Sequence, residues 1–211
     1  MLGAVVLAAG SATRMGLRPK CLLELDGVSL IKRIISALKE AGVDEIVVVS
    51  GHYAGQIETE IATLAVTLIR NPSPDDGHTS SLRLGLTALS NKIDHIIVAL
   101  SDQPLINSED IHQLTNAYEK RPTDKELVVP IVHGQPGNPV MFSARVCREI
   151  LAGAADFGGK QWRMANPEKV HRWASVNEHY LTDVDSPEDI EALRTKTGLQ
   201  LSWPGSFLKT E

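Results

Sequence analysis

Cysteine is nearly absent. Cys21 and Cys147 are the only two in 211 residues, far apart and with no Cys-x-x-Cys spacing. That composition fits no disulfide framework and points to a reduced, cytosolic (cytoplasmic) setting. No His-x-x-His or His–Cys cluster offers a zinc site, and no Ser-His-Asp set stands at a recognisable elbow. Aromatic residues make up only 4% of the chain, and Trp162, Trp173 and Trp203 read as packing or interface residues rather than cofactor platforms. Long apolar runs are missing as well. The stretch from Ala4 to Ala9 is too short to target or span a membrane, and no cationic signal region precedes it. Positive charge is in deficit, with a formal net charge of −5. An acidic surface disfavours nucleic acid and anionic membrane as partners.

What is present is an alternation of apolar strand-like and helix-like stretches. This pattern predicts an α/β fold: three layers around a mostly parallel, Rossmann-like sheet. The apolar residues Leu30, Ile31, Ile34, Ile35, Leu38 and Ala41 recur at helical spacing, and Gly42 ends that helix. Strands are expected over Val5–Leu7, Glu45–Ser50, Val66–Ile69, His95–Leu100, Leu127–Ile131, Val140–Phe142 and His179–Val184. Further helices are expected over Ala54–Leu64, Ser80–Leu89, Ser108 to Lys120, Ala144–Leu151 and Pro187–Lys196, with Ser108 as a cap. Asn71–Thr79 reads as a polar loop. Residues 1–196 form one expected domain and 197–211 a tail without periodicity.

The most informative segment is V-V-L-A-A-G-S-A-T-R-M-G-L-R-P-K, Val5 to Lys20. A buried strand breaks into small residues, whose backbone N–H groups can approach a phosphate closely, while glycine tolerates the positive φ that turns them inward. Arg14 offers a guanidinium fork and Lys20 a point charge. The segment therefore reads as a nucleoside-triphosphate site formed by Leu7, Ala8, Ala9, Gly10, Ser11, Ala12, Arg14 and Lys20. Two familiar alternatives fail on spacing. Gly10 and Gly16 are separated by five residues rather than four, with Leu17 following, which is no P-loop, and Ala12 stands where a dinucleotide fingerprint needs glycine.

Asp102 follows the apolar run Ile96–Leu100 and so falls at the sheet edge where ligands of open α/β sheets bind. Magnesium prefers carboxylate oxygen and bridges triphosphate oxygens; the competing reading is a turn or helix-cap residue. Asp183 and Asp185 lie two apart on an expected extended segment, so they share a face and either could complete a divalent-metal site. Ser186-Pro187-Glu188 is equally an ordinary helix start. His52, at the end of another strand, could line a base pocket or simply pack.

Together these residues resemble the molybdenum-cofactor cytidylyltransferases, a branch of the nucleotidyltransferases with the glycosyltransferase-A-like fold. Four blocks carry the resemblance, from Val5 to about Leu193. They are L-A-A-G-S-A-T-R-M-G with Pro19-Lys20; Asn71-Pro72 through Gly77-His78-Thr79-Ser80-Ser81-Leu82; Ser101-Asp102-Gln103-Pro104 with Gly137-Asn138-Pro139-Val140; and Asp156-Phe157-Gly158-Gly159-Lys160 before Asp183-Val184-Asp185. The chain has Lys160 where the family usually has arginine. The resemblance implies Mg²⁺-dependent transfer of CMP from CTP to a phosphomonoester, with pyrophosphate released; Ala9, where guanylyl members usually have glycine, implies CTP. It further implies Arg14, Lys20 and Asp102 as catalytic residues, Ser80 and Ser81 on cytosine or ribose, and Asn138, Asp156 and Lys160 near the acceptor. Molybdopterin is the implied acceptor, and a molybdoenzyme or chaperone a further partner. A sugar phosphate or methylerythritol phosphate is the alternative acceptor, and a non-catalytic nucleotide or molybdopterin carrier the alternative of another class.

Overall fold

The computed structural model describes residues 1–207. Strand β1 (Leu2–Ala8) runs into the small-residue loop, and two short strands, β2 (Glu24–Leu25) and β3 (Val28–Ser29), precede helix α1 (Leu30–Glu40). There follow β4 (Glu45–Ser50), α2 (Ala54–Ile61), β5 (Thr67–Arg70), α3 (Gly77–Ala88), β6 (His95–Leu100) and α4 (Ser108–Glu119). The second half holds β7 (Leu127–Val132), β8 (Gln135–Pro136), β9 (Val140–Ser143), α5 (Ala144–Ala152), α6 (Gly159–Ala165), β10 (Val170–Ala174), α7 (Pro187–Thr197) and β11 (Leu201–Ser202). The main sheet has the order β10-β7-β9-β6-β1-β4-β5, with β8 paired to β7. Only β9 and β8 run antiparallel to their neighbours in it.

Alternation along the strands splits the core between two faces. Val6, Val48 and Ile97 pack under α1, α2 and α4 with Ile31, Ile34, Ile57, Ile111 and Leu114. Val5, Val47, Val49 and Ile96 pack under α3, α5 and α6 with Leu82, Leu86, Val146, Ile150 and Trp162. These are the three layers expected of the sequence. Helix α3 lies close to the sheet because Gly85 has no side chain: a Cβ there would stand 2.9 Å from Val49 Cγ2.

Register places the site. Leu7 pairs with both Val49 and Leu100, and Ala8 pairs with Ser50. The carboxyl ends of β1, β4 and β6 are thus level, and the loops that open at Ala9, Gly51 and Ser101 emerge along one edge.

Several local expectations change. His179–Val184 is not a strand: Glu178–Leu181 forms a 3-10 turn, in which the Asn177 side chain accepts from the His179 N–H at 3.0 Å. The edge position is taken instead by β10, parallel to β7, in a stretch where no strand is expected from the sequence. Asn107 rather than Ser108 caps α4, because Asn107 and Asp110 satisfy each other's backbone N–H groups reciprocally. Helix α3 starts at Gly77, inside the expected loop. Part of the expected tail is ordered: β11 pairs antiparallel with β2. Residues 208–211 of that tail lie outside the described residues.

Candidate nucleotide site

The loop after β1 owes its shape to two left-handed residues, Ala12 at φ 52° and Gly16 at φ 63°, which bracket the 3-10 turn Thr13–Met15. The Met15 N–H donates to the Ala12 carbonyl at 3.0 Å. Gly10 does not adopt positive φ, contrary to the role that glycine's freedom suggests for it; the turning is done at Ala12, Gly16 and Leu17. Beneath this loop Met15, Leu23, Leu25, Leu30, Val184, Leu193 and Leu201 form a third apolar cluster. That cluster ties the loop to the segment bearing Asp183 and Asp185. Tyr53 fastens the loop from the other side, its Oη donating to the Ser11 carbonyl at 2.8 Å. Gly51 lets the β4 end approach: a Cβ there would be 2.7 Å from the Ala9 carbonyl oxygen and 2.9 Å from Ala9 Cβ.

A cavity of about 460 Å³ opens between these loops, a volume suited to a small-molecule ligand. Leu7, Ala8, Ala9, Gly10, Ser11, Ala12, Arg14, Lys20, His52, Ser81, Asp102, Asp183 and Asp185 all line it. Its floor carries a charge cluster. Lys20 Nζ lies 2.6 Å from Asp102 Oδ2 and 2.5 Å from Asp185 Oδ1, and Arg14 reaches Asp185 Oδ2 at 2.6 Å. Burial works against the charge on Lys20, but the two carboxylates outweigh it and hold the ammonium above its usual range. For Asp185 burial pushes the pKa upward, and Lys20 and Arg14 reverse this to leave it below the ordinary value. Asp183 moves the other way: desolvation comes first, then the like charges of Asp102 and Asp185. Cys21 is inert, its thiol pushed up to about 12 by burial.

Asp102 Oδ1 is buried and has no hydrogen-bond partner among the described residues. With Asp185 facing the same ammonium, the donor set offers a hard cation two carboxylates. Magnesium commonly takes one or two carboxylates and completes its shell with water and phosphate oxygens. Among the described residues no cluster of three or more His, Cys, Asp or Glu side chains forms a cage of its own. The residues fit a cation that arrives with a phosphate ligand.

Ser80 does not line the cavity; its hydroxyl donates to the Gly77 carbonyl at 3.0 Å. Nor do Asn138, Asp156 and Lys160, which stand on neighbouring segments. The Asn138 carbonyl accepts from Gln103 Nε2 at 3.2 Å, which sets Asn138-Pro139, a cis peptide, beside the strand end that carries Asp102. Asp156 and Lys160 flank Gly158, where a Cβ would lie 2.7 Å from Thr79 Oγ1 at the start of α3. Tyr53, Asp75, His78 and Ser101 also line the cavity, though sequence reasoning assigned them no ligand role. For Tyr53 and Ser101 a signal existed: Ser101 follows directly on β6 and Tyr53 is the third residue after β4, both at the ligand-binding edge. Asp75 is 3.1 Å from His52 Nε2.

A mostly parallel sheet with a small-residue loop at its carboxyl edge is the fold of the nucleotidyltransferases, and here that edge carries two cations and a group of carboxylates. The chain belongs to the MobA-like NTP transferase domain family, which it matches over residues 4–170. It is 30% identical over 204 residues to the bifunctional protein GlmU of Streptomyces avermitilis, a match covering 85% of this chain but 42% of that protein. The chain thus spans less than half the length of that relative. A nucleotidyl transferase structure from Methanothermobacter superposes with TM-score 0.75 at 27% identity, covering 93% of this chain and 97% of that one. The 4-diphosphocytidyl-2C-methyl-D-erythritol synthase of Anaerococcus prevotii shares the fold at TM-score 0.71 and 16% identity, over 94% and 96% of the two chains. Among the described residues no helix is long and apolar enough to cross a membrane.

Proposed function

We propose that the chain transfers a nucleotidyl group, CMP from CTP, to the phosphate of a molybdopterin-type acceptor and releases pyrophosphate. The observation that carries the transferase reading is Lys20 held between Asp102 and Asp185 at the mouth of the small-residue loop. Backbone N–H groups of Ala9 to Ala12 cradle the β- and γ-phosphates. Arg14 and Lys20 exchange their carboxylate partners for phosphate oxygens and stabilise the charge that builds on the α-phosphate and on departing pyrophosphate. Asp102, with Asp185 or Asp183, holds Mg²⁺, which when bound neutralises charge on the triphosphate. The acceptor phosphate attacks the α-phosphorus in line, and the protein's contribution is positioning and electrostatics.

The acceptor lies over the segments of Asn138 and of Asp156 to Lys160. Support for a molybdopterin acceptor comes from Ser101-Asp102-Gln103-Pro104 and Gly137-Asn138-Pro139-Val140, and support for CTP from Ala9. Ala9 lines the cavity, and its Cβ stands near Gly51 at the end of β4.

The test is pyrophosphate release with CTP, GTP and ATP against molybdopterin, a sugar phosphate and methylerythritol phosphate. CTP with molybdopterin should give the highest kcat/KM. A preference among triphosphates of roughly 10–200-fold is the scale that one methylene-sized difference allows, and Ala9→Gly should relax it. Equal efficiency for CTP and GTP would overturn the cytidylyl assignment, and turnover only with another acceptor would overturn the molybdopterin one. Nucleotide binding without any pyrophosphate release would favour a carrier protein.

A further inference from the structure

Asn71 directly follows β5 and is 2% exposed. Its own N–H donates to the Ser50 carbonyl at 2.8 Å, so its backbone is fixed to the end of β4. Its side-chain orientation follows from its partners. Oδ1 accepts from the Ser73 N–H at 2.9 Å, which leaves Nδ2 to donate to both Ser80 Oγ and Ser81 Oγ, each at 2.9 Å. An amide nitrogen only donates, so both hydroxyl oxygens must accept. Ser80 then sends its hydrogen to the Gly77 carbonyl. Ser81 is 3% exposed and lines the cavity, and its hydrogen meets no acceptor among the described residues.

We propose that Asn71 is a specificity-determining positioning residue that fixes Ser81 as a hydrogen-bond donor toward an acceptor atom on the nucleobase. This rests on the nucleoside-triphosphate reading of the cavity and deepens it. The triphosphate end belongs to Arg14 and Lys20. Ser81 is carried instead on α3 and lines the same cavity as His52, Pro74 and Asp75. A cytosine presents N3 and O2 as acceptors on its Watson–Crick edge, beside the N4 amino group, which donates. A buried serine whose hydrogen is free, and whose oxygen is already occupied, answers such an edge and discriminates against a base that offers a donor there.

The decisive variant is Asn71→Asp, which keeps shape and the bond from the Ser73 N–H but can no longer donate. Both serine hydroxyls would then turn their hydrogens toward residue 71, and Ser81 would lose its donor to the ligand. Binding is measured by calorimetry with CTP and with ribose 5′-triphosphate, which keeps sugar and phosphates but has no base. Asn71→Asp should weaken CTP by about tenfold, the scale of one neutral hydrogen bond, and leave ribose 5′-triphosphate unchanged. In a Ser81→Ala background the same change should cost CTP almost nothing, because the group through which Asn71 acts is gone. Equal losses for both ligands, or an undiminished loss in the Ser81→Ala background, would overturn the proposal. Absence of any triphosphate binding by the unaltered protein would instead overturn the reading of the cavity itself.

Discussion

Lys20 and Asp102 meet at 2.6 Å across 82 residues of sequence. The contact exists because β1 and β6 are parallel neighbours in register, so the loop after one and the residue after the other leave the sheet at the same level. The pair joins the cationic and acidic halves of the site before any ligand arrives. On the proposed reading, binding a metal–triphosphate complex would be an exchange of partners rather than a new burial of charge. Exchange is the less costly route, since an unpaired charge in a partly buried site costs several kcal/mol.

Asp102→Asn should abolish Mg²⁺-dependent turnover while leaving the fold intact. The amide keeps the shape of the carboxylate but cannot neutralise a cation. Circular dichroism and a thermal melt check the fold, and pyrophosphate release checks activity; retention of most of the rate would remove Asp102 from its assigned role.

Arg14→Ala should lower kcat more than it weakens nucleotide binding. The side chain is largely exposed and its tie to Asp185 is loose enough to be traded for phosphate. A loss on the order of 100-fold in kcat is expected by analogy with removing one oxyanion donor. A rise in KM alone would show that Arg14 acts only on the ground state.

Asp183 and Asp185 should respond to pH with opposite signs in the metal-free protein. The folded-state pKa of Asp185 is depressed, so its stabilisation is complete above the ordinary carboxylate value of 3.8 and is lost as pH falls through the depressed one. Asp185→Asn should therefore lower Tm at pH 7, with the difference vanishing in strong acid. Asp183 is raised, so it opposes folding where it is ionised, and Asp183→Asn should raise Tm slightly at pH 7 and lose that gain on acidification. Both effects stay below about 1 kcal/mol because solvent screens the groups. Melts of the two variants between pH 3 and 7 test the signs.

Gly85→Ala should destabilise the fold by about 1–3 kcal/mol through overpacking. The added Cβ would press on Val5 and lie 2.9 Å from Val49 Cγ2, both in the sheet beneath α3. Urea unfolding should show a lower midpoint with an unchanged slope; an unchanged midpoint would mean that α3 can lift from the sheet freely.

The parts of this protein that its sequence determined are those governed by short-range periodicity. Val5–Leu7, Glu45–Ser50 and His95–Leu100 are apolar on both faces because helices cover both, and that alone marks them as central strands. The helix from Leu30 and the spacing of Arg14 and Lys20 behind a run of small residues were legible for the same reason. Where local pattern was ambiguous, tertiary contacts decided. His179–Val184 reads as a strand, yet Tyr180 is drawn down by its Oη bond to the Asp110 carbonyl at 2.8 Å, and the segment curls into a turn. Val170–Ala174 looks unremarkable alone and becomes a strand because β7 offers it an open edge. The two-residue strands β2, β3 and β11 carry no period at all and exist only as one another's partners. Within the site, the sequence named the carboxylates but could not sort them. Only packing set Asp185 against Lys20 and Arg14, more than 160 residues away in the chain, and buried Asp183 beside Asp102 and Asp185, so that desolvation and like charge raise it.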